Sequence, residues 1–192
     1  MPLLPAEPCC FPESLFVEPD PPEGERWWVL HTRPRTEKAV ARSLHHGRVA
    51  FFLPLYEQSR RVGGRVQTSH LPLFDGYVFL RAGEEGRLRA LETNQIANCI
   101  RVPDQVQLRE QLAAVHIAMT SGSPIGPAAK LLPGTTVTIT RGPLLGLKGK
   151  VLRSDNRLRL ILEVQMLSQG VSVEIESWMV ESLLLEPKKG EG

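Results

Sequence analysis

Apolar and polar residues follow two different periods along this chain, and the change of period predicts two folding units. Between residues 27 and 119, two kinds of run alternate. Short apolar or alternating runs are typical of strands, and in the runs between them apolar residues recur every three or four positions, as on one face of a helix. From residue 132 onward the alternation is that of strands. The pattern therefore predicts a mixed α+β unit followed by a smaller all-β unit.

The first unit, residues 26–119, has the predicted order strand, helix, strand, strand, helix, strand, helix. Its last helix is clear in the sequence, because Leu108, Leu112, Val115 and Met119 fall on one face. This order is typical of a ferredoxin-like fold, in which helices cover an antiparallel sheet. The predicted strands are 27–32, 51–56, 71–80 and 96–102, and the predicted helices are 35–46, 84–91 and the run that ends at 119.

Residues 58–70, between the second and third of these strands, are predicted to form an exposed hairpin. Gly63-Gly64 suits its two-residue turn, because such turns favour a positive φ at their central positions. Three arginines crowd the tip, namely Arg60, Arg61 and Arg65. Two interpretations stay open: a solvated hairpin without a partner, or a hairpin whose arginines contact nucleic-acid phosphates and bases.

The second unit, residues 132–187, is predicted to be a small all-β barrel of five strands. Val137 and Ile139 share one face of its first strand, and the alternation resumes at Val151 after a glycine-rich turn. Leucine and methionine, which favour helices, are frequent between residues 158 and 167, so a helical alternative for that stretch stays open. The remaining predicted strands are 157–167, 171–175 and 176–185.

Two segments are predicted to lie outside these units. Residues 1–25 contain seven prolines and six acidic residues but no lysine or arginine, which predicts a disordered acidic tail. Residues 120–131 contain glycine and proline and are predicted to be a flexible linker. The net charge of +2 conceals a charge of −6 on the tail and +6 on residues 26–120. A positive excess of this size favours contact with nucleic acid or with an acidic protein surface.

Several functional classes are disfavoured by the sequence. No apolar run approaches the roughly 18–20 residues of a membrane span, and the N-terminus lacks the features of a secretory signal, so we expect a cytoplasmic protein with no membrane contact. The three cysteines form no CxxC pair, and the five histidines lack metal-ligand spacing. Nucleotide-binding and hydrolase motifs are absent. We therefore expect no enzymatic activity, no metal and no cofactor.

Two segments resemble known families. Residues 134–151, GTTVTITRGPLLGLKGKV, resemble the KOW motif of small SH3-like barrels in ribosomal proteins and transcription elongation factors. Upstream, the strand order and the run Pro72-Leu-Phe-Asp-Gly-Tyr-Val-Phe79 look like the N-terminal domain of the NusG family. The resemblance spans about residues 27–185, and the two domains in this order are more specific than either motif alone.

The resemblance implies a non-catalytic transcription elongation or antitermination factor that acts as a monomer. In the family, an apolar pocket of the N-terminal domain binds the clamp helices of the largest subunit of RNA polymerase. The matching positions here are His31, Phe74, Tyr77 and Phe79. Such a contact would hold the polymerase on its template and suppress pausing and termination. The strand aromatics have a second interpretation, which is that they belong to the core.

The resemblance also implies contacts for the hairpin and the barrel. Hairpin 58–70 would reach toward DNA at the upstream edge of the transcription bubble. Met166, Leu167 and Gln169 would contact a partner of the KOW barrel. General NusG proteins bind Rho or a ribosomal protein there through Phe-Gly-Arg. Leu167-Ser168-Gln169 lacks that aromatic residue, which favours a specialised paralogue of the RfaH kind.

Two further functional classes are alternatives to an elongation factor. A ribosomal or RNA-processing protein would use the KOW barrel to bind structured RNA, but residues 132–187 carry six basic and six acidic residues, which counts against it. A simple scaffold or adaptor is the other alternative.

Overall fold

The protein is described by a computed structural model that covers residues 8–17, 21–128, 135–154 and 157–180. The described residues form two compact units that divide between Ala113 and Ala114. They contain three α-helices and three antiparallel sheets, so the fold is mixed α/β.

The first unit contains seven described strands: β1 Cys10–Phe11, β2 Arg26–Thr32, β3 Ala50–Phe52, β4 Leu55–Val62, β5 Arg65–Pro72, β6 Tyr77–Ala82 and β7 Ile96–Arg101. Its helices are α1 Glu37–His46, α2 Glu84–Glu92 and the first part of α3 Gln105–Thr120, which continues into the second unit. The second unit contains β8 Ile125–Pro127, β9 Thr135–Thr138, β10 Lys148–Ser154, β11 Arg157–Val164 and β12 Gln169–Ile175.

The main sheet of the first unit has the order β1-β3-β6-β2-β7, and all its pairs are antiparallel. Helix α1 buries Val40 and Leu44, which are one turn apart, in a cluster with Leu30, Val78 and Leu80 of the central strands. The helix begins at Glu37 rather than at residue 35, because Arg35 has a left-handed φ of 64° that a right-handed helix cannot contain. It ends at His46, before Gly47, as predicted.

Two predicted strands are each divided in the structure. The predicted strand 51–56 separates into β3 and β4 at Pro54, a residue that has no N–H to donate within a ladder. The predicted strand 71–80 separates into β5 and β6, because the chain turns between Pro72 and Tyr77. In that turn the backbone N–H of Tyr77 donates to the carbonyl of Phe74 at 3.1 Å. The two divisions give β4 and β5 a sheet of their own.

The structure differs from the predicted tail over residues 8–17. Strand β1 pairs with β3, so Cys10 lies opposite Phe52, and the Leu15 side chain is fully buried. The Phe16 ring stacks on Trp27 at 5.9 Å and meets Phe52 edge-on at 5.0 Å. Apolar residues set among the prolines therefore bind this segment to the sheet. Residues 1–7 and 18–20 of the predicted tail lie outside the described residues.

Polar groups also fix the N-terminal segment. The backbone N–H of Leu53 donates to the carbonyl of Cys9 at 2.6 Å. Arg81 donates to the carbonyl of Leu15 and Arg109 to that of Phe16, both at 3.3 Å. The segment from Pro8 to Val17 therefore contributes both a strand and buried side chains to the first unit.

The sheet of the second unit has the order β8-β12-β11-β10-β9. Its strand β8 lies within residues 120–131, the stretch predicted as a linker, because Ile125 and its neighbours pair with β12. The predicted strand 157–167 ends at Val164, and Gln165–Leu167 form a one-turn 3-10 helix. The stretch from Leu158 to Val164 is thus a strand rather than a helix. Val180 bridges Ile139, and the predicted continuation through residues 181–187 lies outside the described residues.

Close packing between two strands requires a glycine at position 149 of β10. A Cβ on Gly149 would lie 2.5 Å from the carbonyl oxygen of Ile161 on the neighbouring strand. Glycine therefore allows β10 and β11 to approach each other at this point.

Candidate binding sites

An exposed aromatic pair occupies the end of the central strands in the first unit. His31 of β2 and Tyr77 of β6 are directly opposite in register, and their rings stack with centroids 5.1 Å apart. His31 is exposed and Tyr77 is half-buried. The two rings predicted to contact a partner therefore lie side by side where a partner can reach them.

The two phenylalanines predicted for the same site lie in the interior. Phe74 and Phe79 are 1% and 0% exposed, and their rings meet edge-on at 5.7 Å. Phe79 also lies 6.4 Å from the ring of Phe52. The spacing of Tyr77 and Phe79 predicts a shared face, but β6 is a central strand, so only the residue near its end remains accessible. Both phenylalanines therefore belong to the core, and neither is accessible to a partner in the way predicted.

A cavity of about 730 Å³ opens beside His31. It lies where β2 ends, α1 begins and the base of the β4–β5 hairpin approaches the loop before β6. Arg33 and Arg35 are exposed and Lys38 is half-buried, and these cations outnumber the carboxylates of Glu37 and Asp75. The remaining lining residues are His31, Thr32, Pro34, Leu71, Pro72, Gly76 and Ala97.

Glu37 fixes the wall of this cavity. Its side chain is buried, and one carboxylate oxygen accepts a hydrogen bond from the backbone N–H of Gly76 at 2.8 Å. The backbone N–H of Thr32 donates to the carbonyl of Gly76, also at 2.8 Å. The Thr32 hydroxyl is buried and has no hydrogen-bond partner among the described residues. No local sequence pattern predicts these roles, because residues 32, 37 and 76 meet only through the tertiary fold.

The hairpin of β4 and β5 carries the predicted basic tip. Gly63 and Gly64 have φ values of 56° and 80°, as a two-residue turn of this kind requires. Arg60, Arg61 and Arg65 are exposed. The register places Arg65 opposite position 62, so Arg60 and Arg65 lie on one face of the ribbon and Arg61 on the other. None of the three forms an ion pair within the described part of the chain.

A second combination of aromatic and basic residues surrounds Trp28. The guanidinium groups of Arg26 and Arg87 lie 5.8 and 5.3 Å from the centre of its ring. The indole N–H donates to the carbonyl of Ala82 at 3.2 Å. Trp28 packs against the core beneath α1 and α2, so it is not part of the pair formed by His31 and Tyr77.

The predicted partner residues of the second unit lie together in one turn. Met166 and Leu167 belong to the 3-10 helix between β11 and β12 and are half-buried, and Gln169 begins β12 opposite Val164. Ser168 between them has a left-handed φ of 51°. This sharp turn presents the three side chains at one end of the sheet.

The cysteines are poor nucleophiles in this fold. Burial raises the pKa of the Cys9 and Cys99 thiols, and burial together with the neighbouring Cys9 raises the pKa of Cys10 to about 12. A thiol that keeps its proton at neutral pH does not act as a thiolate. Within the described residues, no group of three or more histidine, cysteine or acidic side chains is arranged to hold a metal ion.

The described residues define a mixed α/β protein whose first unit presents an exposed aromatic pair, a basic cavity and an arginine-bearing hairpin, features typical of a binding protein. The NusG family model, described as transcription termination factor nusG, matches residues 25–116, which hold all three features. This match supports a NusG-like transcription factor. No curated protein matches the chain. None of the helices in the described ranges has the length and apolar character needed to cross a membrane.

Proposed function

We propose that the protein is a non-catalytic transcription elongation and antitermination factor that binds the clamp helices of RNA polymerase and suppresses pausing and termination. The observation that carries the proposal is the exposed stack of His31 on Tyr77 beside the basic cavity, within the segment that matches the NusG family model. A stacked pair of rings is a preorganised anchor, and aromatic anchors usually dominate the energy of an interface.

The two units correspond, in this proposal, to two domains. The first unit, which also includes residues 8–17, contains a ferredoxin-like NusG-type domain predicted at residues 26–119. The second unit, whose sheet also includes β8, contains an SH3-like KOW barrel predicted at residues 132–187. The antiparallel sheet with α1 and α2 on one face supports the first assignment. The five-stranded antiparallel sheet and its bridge between Ile139 and Val180 support the second.

The hairpin contacts DNA in this proposal. Its three arginines are exposed on both faces of a two-stranded ribbon, and no described carboxylate neutralises them. A ribbon of this kind can bind phosphates on either side.

The turn at Met166, Leu167 and Gln169 binds a partner of the second unit. It lacks the aromatic residue that general NusG proteins use toward Rho or a ribosomal protein, and this supports a specialised, RfaH-like paralogue rather than a general factor. The protein acts as a monomer.

Binding of the full-length chain to purified core RNA polymerase tests the proposal. We expect Tyr77→Ala to weaken binding by about 2 kcal/mol, the usual cost of truncating an aromatic anchor, and His31→Ala to weaken it as well. Tyr77→Phe retains the ring and should bind nearly as well as the wild type. A transcription assay on a template with a defined pause should show shorter pauses with the wild-type protein than with Tyr77→Ala.

His46→Ala is the matched control for His31→Ala, because His46 is an exposed histidine at the end of α1. Circular dichroism and thermal melting should confirm that each variant is folded. Unchanged polymerase binding by folded Tyr77→Ala and His31→Ala would refute the proposed contact. Absence of wild-type binding at micromolar concentration would refute the proposed function.

A further inference from the structure

Trp178 is unusually exposed in the second unit. It lies in a one-turn 3-10 helix, Ser177–Met179, directly after β12, and 53% of its surface is accessible. Trp27, by comparison, is 1% exposed. In the described part of the second unit the large apolar residues with comparable exposure are Ile117, Leu145 and Trp178. Leu145 is 64% exposed and lies in the turn between β9 and β10.

That turn holds the indole ring in place. Gly142 has a φ of 85°, and a Cβ at this position would lie 3.0 Å from Cη2 and 3.3 Å from Cζ3 of Trp178. Glycine is therefore required both by the backbone conformation and by the contact with the ring. The backbone N–H of Thr140 donates to the carbonyl of Met179 at 2.9 Å, and this bond ties the two segments together. The ring is consequently fixed at the surface before any ligand arrives.

The charged side chains near Trp178 in the fold are those of Arg141, which precedes Gly142, and of Glu176, two residues before Trp178, and both are exposed. Lys150 pairs with Glu163 at 2.7 Å and Arg157 pairs with Glu174 at 2.8 Å. Arg141, which precedes Gly142, and Lys148, which follows the same turn, are exposed and form no ion pair within the described ranges. The turn and the first residue of β10 therefore carry two exposed cations, Arg141 and Lys148, against the single exposed carboxylate of Glu176.

The size of this surface decides between two kinds of partner. A specific protein interface buries about 1,200–2,000 Å² in total, and one tryptophan and one leucine supply only a small part of that area. Stacking of a nucleic-acid base requires a single aromatic ring and nearby cations for the phosphates. We propose that Trp178, Leu145 and Arg141 bind an unpaired nucleotide of a single-stranded nucleic acid, with Trp178 stacking on the base and Arg141 and Lys148 contacting phosphates.

The site does not depend on the polymerase contact proposed above, since it lies wholly in the second unit. The test uses the full-length chain with Arg60, Arg61 and Arg65 all changed to alanine, so that the hairpin cannot supply the binding. Fluorescence anisotropy measures the affinity for three labelled ligands: a single-stranded RNA of mixed sequence, the matching single-stranded DNA and the RNA duplex. Each is about 15 nucleotides long, because sites for single strands span about 4–16 nucleotides. Comparison of the RNA strand with the DNA strand shows which of the two nucleic acids the site prefers.

We expect Trp178→Ala to weaken binding of the single strand about 5- to 150-fold, because stacking contributes about 1–3 kcal/mol per base and 1.4 kcal/mol corresponds to a factor of ten. Trp178→Phe should lose less, because a smaller ring still stacks. Arg141→Glu should weaken binding more than Arg153→Glu. Both changes alter the net charge equally, but Arg153 is an exposed cation near the opposite end of β10.

Three results would overturn the proposal. The first is a folded Trp178→Ala variant that binds the single strand as tightly as its parent. The second is equal affinity for the single strand and the duplex, which would indicate a contact to the phosphate backbone alone. The third is no detectable binding of the single strand at a protein concentration of about 100 μM. That concentration equals the weakest dissociation constants typical of non-specific nucleic-acid binding.

Discussion

Tyr77 and Phe79 are two residues apart on one strand and are both aromatic, but they differ in burial. Tyr77 stacks with His31 at the surface, whereas Phe79 lies in the interior against Phe52 and Phe74. Their substitutions should therefore have different consequences. The surface residue should affect binding, and the interior residue should affect folding.

Phe79→Ala should lower the free energy of unfolding by about 3–5 kcal/mol, because it removes a fully buried ring and leaves a cavity. Tyr77→Ala should cost clearly less, since its ring is half-buried. Urea unfolding followed by circular dichroism measures both. Equal losses for the two variants would contradict the assignment of Tyr77 to the surface.

Cys10 provides a pH-dependent contribution to stability. Burial, reinforced by the negative charge of a Cys9 thiolate, raises the pKa of its thiol from 9.0 to about 12. The unfolded chain releases this proton near pH 9 while the folded chain keeps it, so the unfolded state is favoured as pH rises. The contribution of Cys10 is therefore complete below pH 9 and is lost as pH rises toward 12.

Comparison of the wild type with Cys10→Ser in urea, under reducing conditions, measures this effect. The wild type should lose more stability than the variant between about pH 8 and about pH 10, because only the wild type has this thiol to ionise on unfolding. Identical pH profiles for the two proteins would show that the Cys10 thiol is not protected by the fold.

At the scale of elements, the N-terminal segment is the main difference between expectation and structure. Its prolines and acidic residues predict disorder, but Phe11, Leu15 and Phe16 are spaced so that β1 can pair while the two later residues pack on the sheet. Composition averages over a segment and cannot reveal three well-placed apolar side chains. The residues that these side chains contact lie far along the chain, so no local sequence pattern predicts the contacts.

Leu15→Ala should lower the stability of the first unit by about 2–5 kcal/mol, the usual cost for a fully buried leucine. Val17→Ala is the matched control, because Val17 is 79% exposed and its truncation should change stability by less than about 0.5 kcal/mol. Thermal and urea unfolding of the full-length chain compare the two. Similar stability for both variants would indicate that the segment does not contribute to the fold in solution.

Other elements were predictable because their signals are local. Helix α1 has its apolar residues one turn apart and a glycine after its end, and the hairpin turn has two adjacent glycines. The division at Pro54 was missed because apolar residues continue on both sides of the proline. The division between Pro72 and Tyr77 was missed because Asp75-Gly76, a pair typical of turns, was included in one strand. Periodicity alone does not distinguish one long strand from two strands joined by a turn.

On the scale of the whole molecule, each unit carries its own proposed site. His31 and Tyr77 belong to the first unit, and Trp178 and Gly142 belong to the second. The resemblance to a family suggested the first site, because the motif around Tyr77 is contiguous, but it did not distinguish the accessible Tyr77 from the buried Phe74 and Phe79. The sequence did not locate the second site, because residues 142 and 178 are brought together only when the last described segment bridges Ile139.

The two sites should be separable by substitution. Tyr77→Ala should lose polymerase binding and keep binding of single-stranded nucleic acid, and Trp178→Ala should do the reverse. Polymerase retention and fluorescence anisotropy, measured on the same two preparations of the full-length chain, provide the comparison. Loss of both activities in either folded variant would show that the sites are not independent.

The attachment of the N-terminal segment has a consequence for biosynthesis. Domains form as the chain emerges from the ribosome, N-terminal residues first. Phe16 emerges before Arg109, whose side chain lies 93 positions later and donates a hydrogen bond to the Phe16 carbonyl. The bond from Arg109 can therefore form only after 93 further residues have been made, whereas the bond from Leu53 to Cys9 can form earlier. Until Arg109 is in place, Phe16 lacks one of its contacts and is more accessible to chaperones and proteases.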